Sequence, residues 1–240
     1  MAEPRKHHYL PQFYLRGFSA NGRSIFQIEK QGDRAYLSSI RDTAAIRDYH
    51  DLDTVDAKDP GAVEKQLAHV ESQLAEGLAV TLRSGITTPD IHSLLLQLVA
   101  PLRFRVPAFK ATIEAHLQNV VRSVGLKMER RGAFPPPPKG LEDVLRMDNI
   151  EITISNWKLL ETMFNLAADR DVFNILAAMR PALFRAPANA HFITCDQPVA
   201  IYHPTASPRD AYGIGISHPG TEISVALASR ALLLNVSNMA

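Results

Sequence analysis

Three helical stretches follow one another between residues 62 and 128, the first marked by its apolar spacing and the other two by their start signals. Val63, Leu67, Val70, Leu74 and Leu78 recur at intervals of three and four. That spacing predicts an amphipathic helix over residues 62–82. Thr88 before Pro89 supplies an N-cap and a first-turn proline, which open a second helix reaching about Arg105. Pro101 lies inside it and should kink or end it locally. Pro107 opens a third helix, running to about Met128. Such a block must bury its apolar stripes against something, and the flanking sequence supplies strands.

Asn21-Gly22 and Lys30-Gln31-Gly32-Asp33 are turn signals around residues 24–29 and 34–37, so residues 21–37 read as a β-hairpin. Near the other end, residues 179–185 and 191–201 are expected to pair around Pro187-Ala188-Asn189-Ala190. Residues 221–228 and 231–236 read as two more strands, joined near Ser229-Arg230. The expected fold is α+β, one domain over residues 1–240. Strands from 1–40 and 179–240 would form a mostly antiparallel sheet packed on the helical middle, 62–170. Between these landmarks, residues 142–147 read as a short helix. Residues 152–168 read as a longer one, with Trp157, Leu160, Met163 and Phe164 on its apolar side. Pro135 to Pro138 form a stiff surface connector, with docking to a proline-reading module as the rarer alternative. Residues 41–60 are polar and rich in aspartate, including Asp53, Asp56 and Asp59; Tyr49-His50 is out of place there.

The single cysteine, Cys195, excludes an intrachain disulfide and suits a reducing compartment. Residues 1–6 lead into two histidines and not into an apolar core, so no secretory signal is expected. Residues 91–106 are interrupted by His92, Gln97, Arg103 and Arg105, too polar to span a bilayer. Together these predict a soluble cytoplasmic protein. A last strand this close to Ala240 also suggests a natural chain that continues. With 26 basic against 25 acidic residues, global attraction to nucleic acid is weak, and a local basic patch would have to supply it.

The stretch from Lys6 through His7-His8-Tyr9-Leu10-Pro11-Gln12-Phe13-Tyr14-Leu15-Arg16-Gly17-Phe18 is the most informative motif. An imidazole held by a proline-fixed turn can act as base, proton donor or ligand; equally, two histidines near a terminus can simply fray. This stretch resembles the opening signature of the bacterial family catalogued as domain of unknown function 4238. Arg105-Val106-Pro107-Ala108-Phe109 is similar to that family's arginine-x-proline helix break. Phe192-Ile193-Thr194-Cys195-Asp196-Gln197-Pro198-Val199 resembles its late strand end, with Cys195 in place of the usual serine. The segment 221–227 is similar to its last strands, with Ala226 in place of proline. The resemblance spans the chain and implies no assigned activity, so it transfers no catalytic residue.

Read from their own chemistry, several residues are candidates. Asp196 stands at an expected strand end before a rigid Gln197-Pro198 turn, where it serves a site or merely bonds its own backbone. Glu64 and Glu71, seven apart, share a helix face around Leu67 and His69; they are metal ligands if a histidine joins them, and solvated otherwise. Arg103 and Arg105 either clamp an anion or bond the last helix carbonyls. Cys195 reads as an inert buried thiol rather than a nucleophile. A phosphate-binding glycine loop is absent, Gly213-x-Gly215 being too short, and so are paired zinc cysteines and a nucleophile elbow.

Two functions are therefore carried forward. One is a metal-dependent phosphodiester hydrolase acting on nucleic acid, with His8, Glu71 and Asp196 holding Mg or Mn, and Arg105 on the phosphate. The other is a non-catalytic binding or regulatory domain, in a toxin or phage-defence context for example, with a protein or small-molecule partner. There Tyr9, Phe13, Tyr14 and Phe18 are core and His7-His8 a structural lock. The first requires the opening segment to fold back beside the loop after residue 195.

Overall fold

The computed structural model describes residues 6–52, 62–85, 87–141, 143–205 and 215–237. Asp53, Asp56, Asp59, Glu142, Gly213 and Ala240 lie outside them. The fold is α+β with antiparallel sheets. Helices α2 (Ala62–Ser84), α3 (Pro89–Phe104) and α4 (Pro107–Arg130) form where the spacing and prolines place them. Thr88 caps α3 by accepting the Ile91 amide. Pro101 does not end that helix, because the Arg105 amide still bonds the Pro101 carbonyl and closes the next turn. Among the described residues no helix is long and apolar enough to cross a membrane.

The later helices start differently from expectation. Residues 147–149 make a single 3₁₀ turn in place of the helix expected over 142–147. Its backbone is held from α4, by Arg122 on the Met147 carbonyl and Glu129 on the Met147 amide. Helix α5 (Asn156–Ala167) begins four residues after the expected 152, because Ser155 accepts the Lys158 amide and fixes the start. Helix α6 (Arg170–Ala178) follows, capped by Asp169.

Among the described residues the strands do not share one sheet; they fall into three. Strand β1 (Lys6–His8) pairs with β4 (Ala45–Arg47), and β2 (Ser24–Ile28) with β3 (Ala35–Ser39) as the expected hairpin. The C-terminal sheet contains β5 (Arg180–Arg185), β6 (Val199–Tyr202), β7 (Glu222–Ala228) and β8 (Ala231–Val236), in the order β5-β8-β7-β6. The expected pairing of β5 with β6 is therefore replaced. The β7–β8 hairpin, the most buried pair of strands, takes the centre, and β5 and β6 lie on its two sides. Residues 191–195, expected as strand, are irregular. Arg230 gathers the carbonyls of Pro187, Ala188 and Ala190 at 2.7, 3.2 and 2.9 Å, turning the chain away from a ladder.

Helix α1 (Gln12–Arg16) joins the N-terminal segment to this sheet. The Ser229 amide bonds the Gly17 carbonyl at 2.9 Å. A Cβ on Gly17 would stand 3.1 Å from the Ala228 Cβ, so this approach favours glycine. Tyr14, fully buried, donates its hydroxyl proton to the Ala226 carbonyl at 2.9 Å and accepts from Thr194 Oγ1 at 2.7 Å. The opening segment thus does fold back against residues just before 195. Tyr14→Phe is expected to cost about 2 kcal/mol by leaving a buried carbonyl without its donor, measured by urea unfolding. A cost near zero would mean that the bond contributes nothing net.

Candidate metal and acid-base site

A strand turns successive side chains to opposite faces, and β1 therefore separates its two histidines. His7 is the one turned inward, 3% exposed, while His8 is half-buried. After β4 the chain reverses through Asp48, whose φ of 55° lies in the left-handed region that aspartate tolerates better than most residues. The reversal sends Tyr49 and His50 into the interior, and His50 is 0% exposed. The out-of-place dipeptide of residues 41–60 is thus a buried pair.

Hydrogen bonds fix both rings. The His50 amide donates to His7 Nδ1 at 2.9 Å, and the two imidazoles stack with centroids 5.5 Å apart and planes 7° from parallel. His50 Nδ1 lies 2.8 Å from Glu64 Oε2 on the first turn of α2. A carboxylate only accepts, so His50 carries its proton on Nδ1 and its lone pair on Nε2. That Nε2 is buried without a hydrogen-bond partner. Burial, outweighing the Glu64 hydrogen bond, pulls the His50 pKa down to about 4. The imidazole is neutral at pH 7, and its contact with Glu64 is a hydrogen bond and not an ion pair. Burial raises the Glu64 carboxyl, but the His50 bond and nearby positive charge outweigh that and hold it below its ordinary range.

The ends of α3, α4 and α5 close this region. Arg105, 3% exposed, donates Nη2 to Glu71 Oε1 at 2.8 Å and Nε to the Tyr9 carbonyl at 3.2 Å. The Tyr49 hydroxyl donates to the Arg105 carbonyl at 3.0 Å, and the Lys110 ammonium stands 4.5 Å from the Tyr49 ring centre. Asn156 donates to the Asp51 carbonyl at 2.6 Å. Beside this core a polar cleft of about 370 Å³ is lined by His8, Gln12, Arg16, Glu64, Glu71 and Ser72 among others. Glu64 therefore has buried His50 on one side and the cleft on the other.

The structure sorts the residues singled out from sequence. His8 and Glu71 share the cleft, and His8 donates Nε2–H to the Arg41 carbonyl at 3.1 Å. Arg105 is committed to Glu71 and Tyr9. Asp196 is exposed and follows irregular chain, not a strand; its charge is felt at Tyr9, whose hydroxyl is raised first by burial and then by that carboxylate. Among the described residues no bond joins Asp196 to His8 or Arg105. Cys195, expected buried, is exposed because residues 191–195 leave the sheet, and its thiol meets the Gln197 carbonyl at 3.1 Å. Arg103 lies over the Phe109 ring at 5.5 Å, and His69 is exposed. Glu64, not Glu71, receives a histidine.

One group among the described residues has the donors for a cation: His7, His50 and Glu64, with one ligand atom from each within 4.8 Å of the others. His50 fits a ligand's role, since ligating imidazoles usually present one nitrogen while the other N–H is held by a carboxylate or carbonyl. His7 fits less readily. Its Nδ1 already accepts the His50 amide, and ligation through Nε2 would require the other tautomer. Glu64 Oε2, which holds the Nδ1–H of His50, is the orienting group and not a ligand beside Nε2, and imidazole donation favours Zn or Mn over Mg, which prefers oxygen donors.

No curated protein and no solved structure matches this chain. A family model does, over residues 6–237, and by that match the chain belongs to the family described as protein of unknown function DUF4238.

Proposed function

We propose that the protein is a metal-dependent hydrolase of phosphodiesters, working with a divalent cation held at His50. The observation that carries this reading is the neutral, buried His50, oriented by Glu64 on Nδ1 and holding an unpartnered Nε2, beside the stacked His7 ring. When bound, a divalent cation supplies Lewis acidity and an activated water. Glu64 holds the His50 tautomer and lines the cleft. His8, whose Nε2–H is held by Arg41, keeps Nδ1 for proton transfer. Arg16 supplies the positive charge that a phosphodiester needs in a cleft with two carboxylates. Nucleic acid is the proposed partner, reached through local charge, and the reducing cytoplasm the proposed compartment.

Equilibrium dialysis against Zn and Mn, with metal analysis, tests the centre, and a chromogenic phosphodiester tests the activity. One cation per chain is expected. His50→Ala should weaken its retention about a hundredfold, and Glu64→Gln, removing the orienting carboxylate, about tenfold or more. Failure to retain either metal, or equal retention by His50→Ala, would overturn the reading.

A second reading is favoured by one specific observation: His7 Nδ1 and His8 Nε2 both bond backbone, to the His50 amide and the Arg41 carbonyl. In a non-catalytic binding or regulatory domain these bonds lock the opening strand in place. That reading expects His7→Ala to lower the melting temperature with no metal retained by the wild type.

A further inference from the structure

A second cavity, of about 440 Å³, lies between α2, α3 and α5. Its volume is in the lower part of the range typical of small-molecule sites, about 300–1,000 Å³. Leu67, Phe104, Met163 and Phe164 make its walls largely apolar. The polar lining residues are few, Gln66, Glu71, Gln97 and Arg105, and at one end Arg105 meets Glu71. Glu71 lines both this cavity and the polar cleft, and Pro11 and Gln12, adjacent in the chain, line one each. The two spaces therefore adjoin at Glu71.

The charges at that end select the ligand. Arg105 uses Nε on the Tyr9 carbonyl and one Nη2 proton on Glu71, while nothing among the described residues bonds Nη1. Its positive charge is already balanced by Glu71. An anionic head would set two negative groups around one guanidinium, and a cationic head would face the guanidinium itself. A neutral oxygen acceptor loses neither interaction and can take the remaining N–H groups. An acceptor is present as well: Glu71, which lines the cavity, gives only Oε1 to Arg105. A head that both accepts and donates, such as a primary amide or a hydroxyl, is therefore complementary.

We infer that this cavity is a binding site for a small amphiphile with an apolar acyl or aryl body and an uncharged, hydrogen-bonding head placed at Arg105 and Glu71. The inference stands apart from the hydrolase reading, because it uses neither His50 nor a metal.

Titration with the neutral fluorophore N-phenyl-1-naphthylamine, followed by displacement with octanamide, octanoate and octylammonium, tests it. Saturable binding of one probe per chain is expected, with octanamide displacing it about tenfold more effectively than either charged analogue, a difference of about 1.4 kcal/mol. Ala167→Trp fills the cavity from α5, and Val70→Trp from the half-exposed wall of α2. Each should weaken the probe about tenfold or more, while His50→Ala should leave binding unchanged. Absence of saturable binding to the wild type, binding retained by both filling variants, or a charged analogue equal to octanamide would overturn the inference.

Discussion

Arg105→Ala is expected to lower the unfolding free energy by about 3–5 kcal/mol, the usual cost of removing one partner from a buried ion pair. Arg105 is 3% exposed, and the Glu71 carboxylate it pairs with is 25% exposed. Without the guanidinium, Glu71 is left with only partial hydration, and the Tyr9 carbonyl loses its donor. The methylene stem also leaves a space where α3 ends against α2 and the segment 9–11. The fall in Tm should be about 10 °C for a domain of this size. A double variant, Arg105→Met with Glu71→Gln, removes both charges and keeps most of the volume, and should recover more than half of the loss. Urea unfolding of the three proteins decides the matter. A single-variant loss under about 1 kcal/mol would mean that water reaches the pair freely and that the burial is of little energetic consequence.

The second large effect is a dependence on pH centred on His50. In the folded chain its pKa is about 4, against an ordinary value of 6.5. As pH falls through 6.5 the unfolded chain takes up a proton at this residue and the folded chain does not. Stability is therefore complete above pH 6.5 and is lost between there and about pH 4, where the folded imidazole finally protonates. At 1.36 kcal/mol per decade the loss attributable to His50 is on the order of 3 kcal/mol. Glu64, held below its ordinary range, adds a further loss at the acid end of that window and below it. Unfolding free energies of the wild type and His50→Gln, measured from pH 7.5 to 4, should converge as pH falls. Parallel curves would remove His50 as the source. Metal retention at His50 should likewise persist well below pH 6.5, because protons do not compete for Nε2 until about pH 4.

How much of this was legible in the sequence follows from how local each feature is. The helices 62–84, 89–104 and 107–130 were readable because their start signals and apolar spacing act within a few residues. The hairpin of β2 and β3 was readable for the same reason, since Asn21-Gly22 and the second turn bracket it. Strand order was not: β5 and β6 are each next to a partner strand twenty or more residues further along the chain, and no local pattern encodes that choice.

The candidate site divides in the same way. Its ingredients were all visible, including paired histidines, carboxylates on one helix face, an arginine at a helix end and a misplaced Tyr49-His50. The centre expected from the sequence combined His8 with Glu71 and Asp196, whereas the histidines that come together are His7 and His50, beside Glu64. Which of them meet was decided by tertiary structure. The register of β1 against β4 turns His7 inward and leaves His8 to the cleft, and a one-residue slip would exchange them. The left-handed turn at Asp48 carries His50 inward to Glu64, across fourteen positions of chain. Burial, which exists only once α2 through α5 have packed, then keeps that imidazole neutral down to about pH 4, a property that no single stretch of residues possesses.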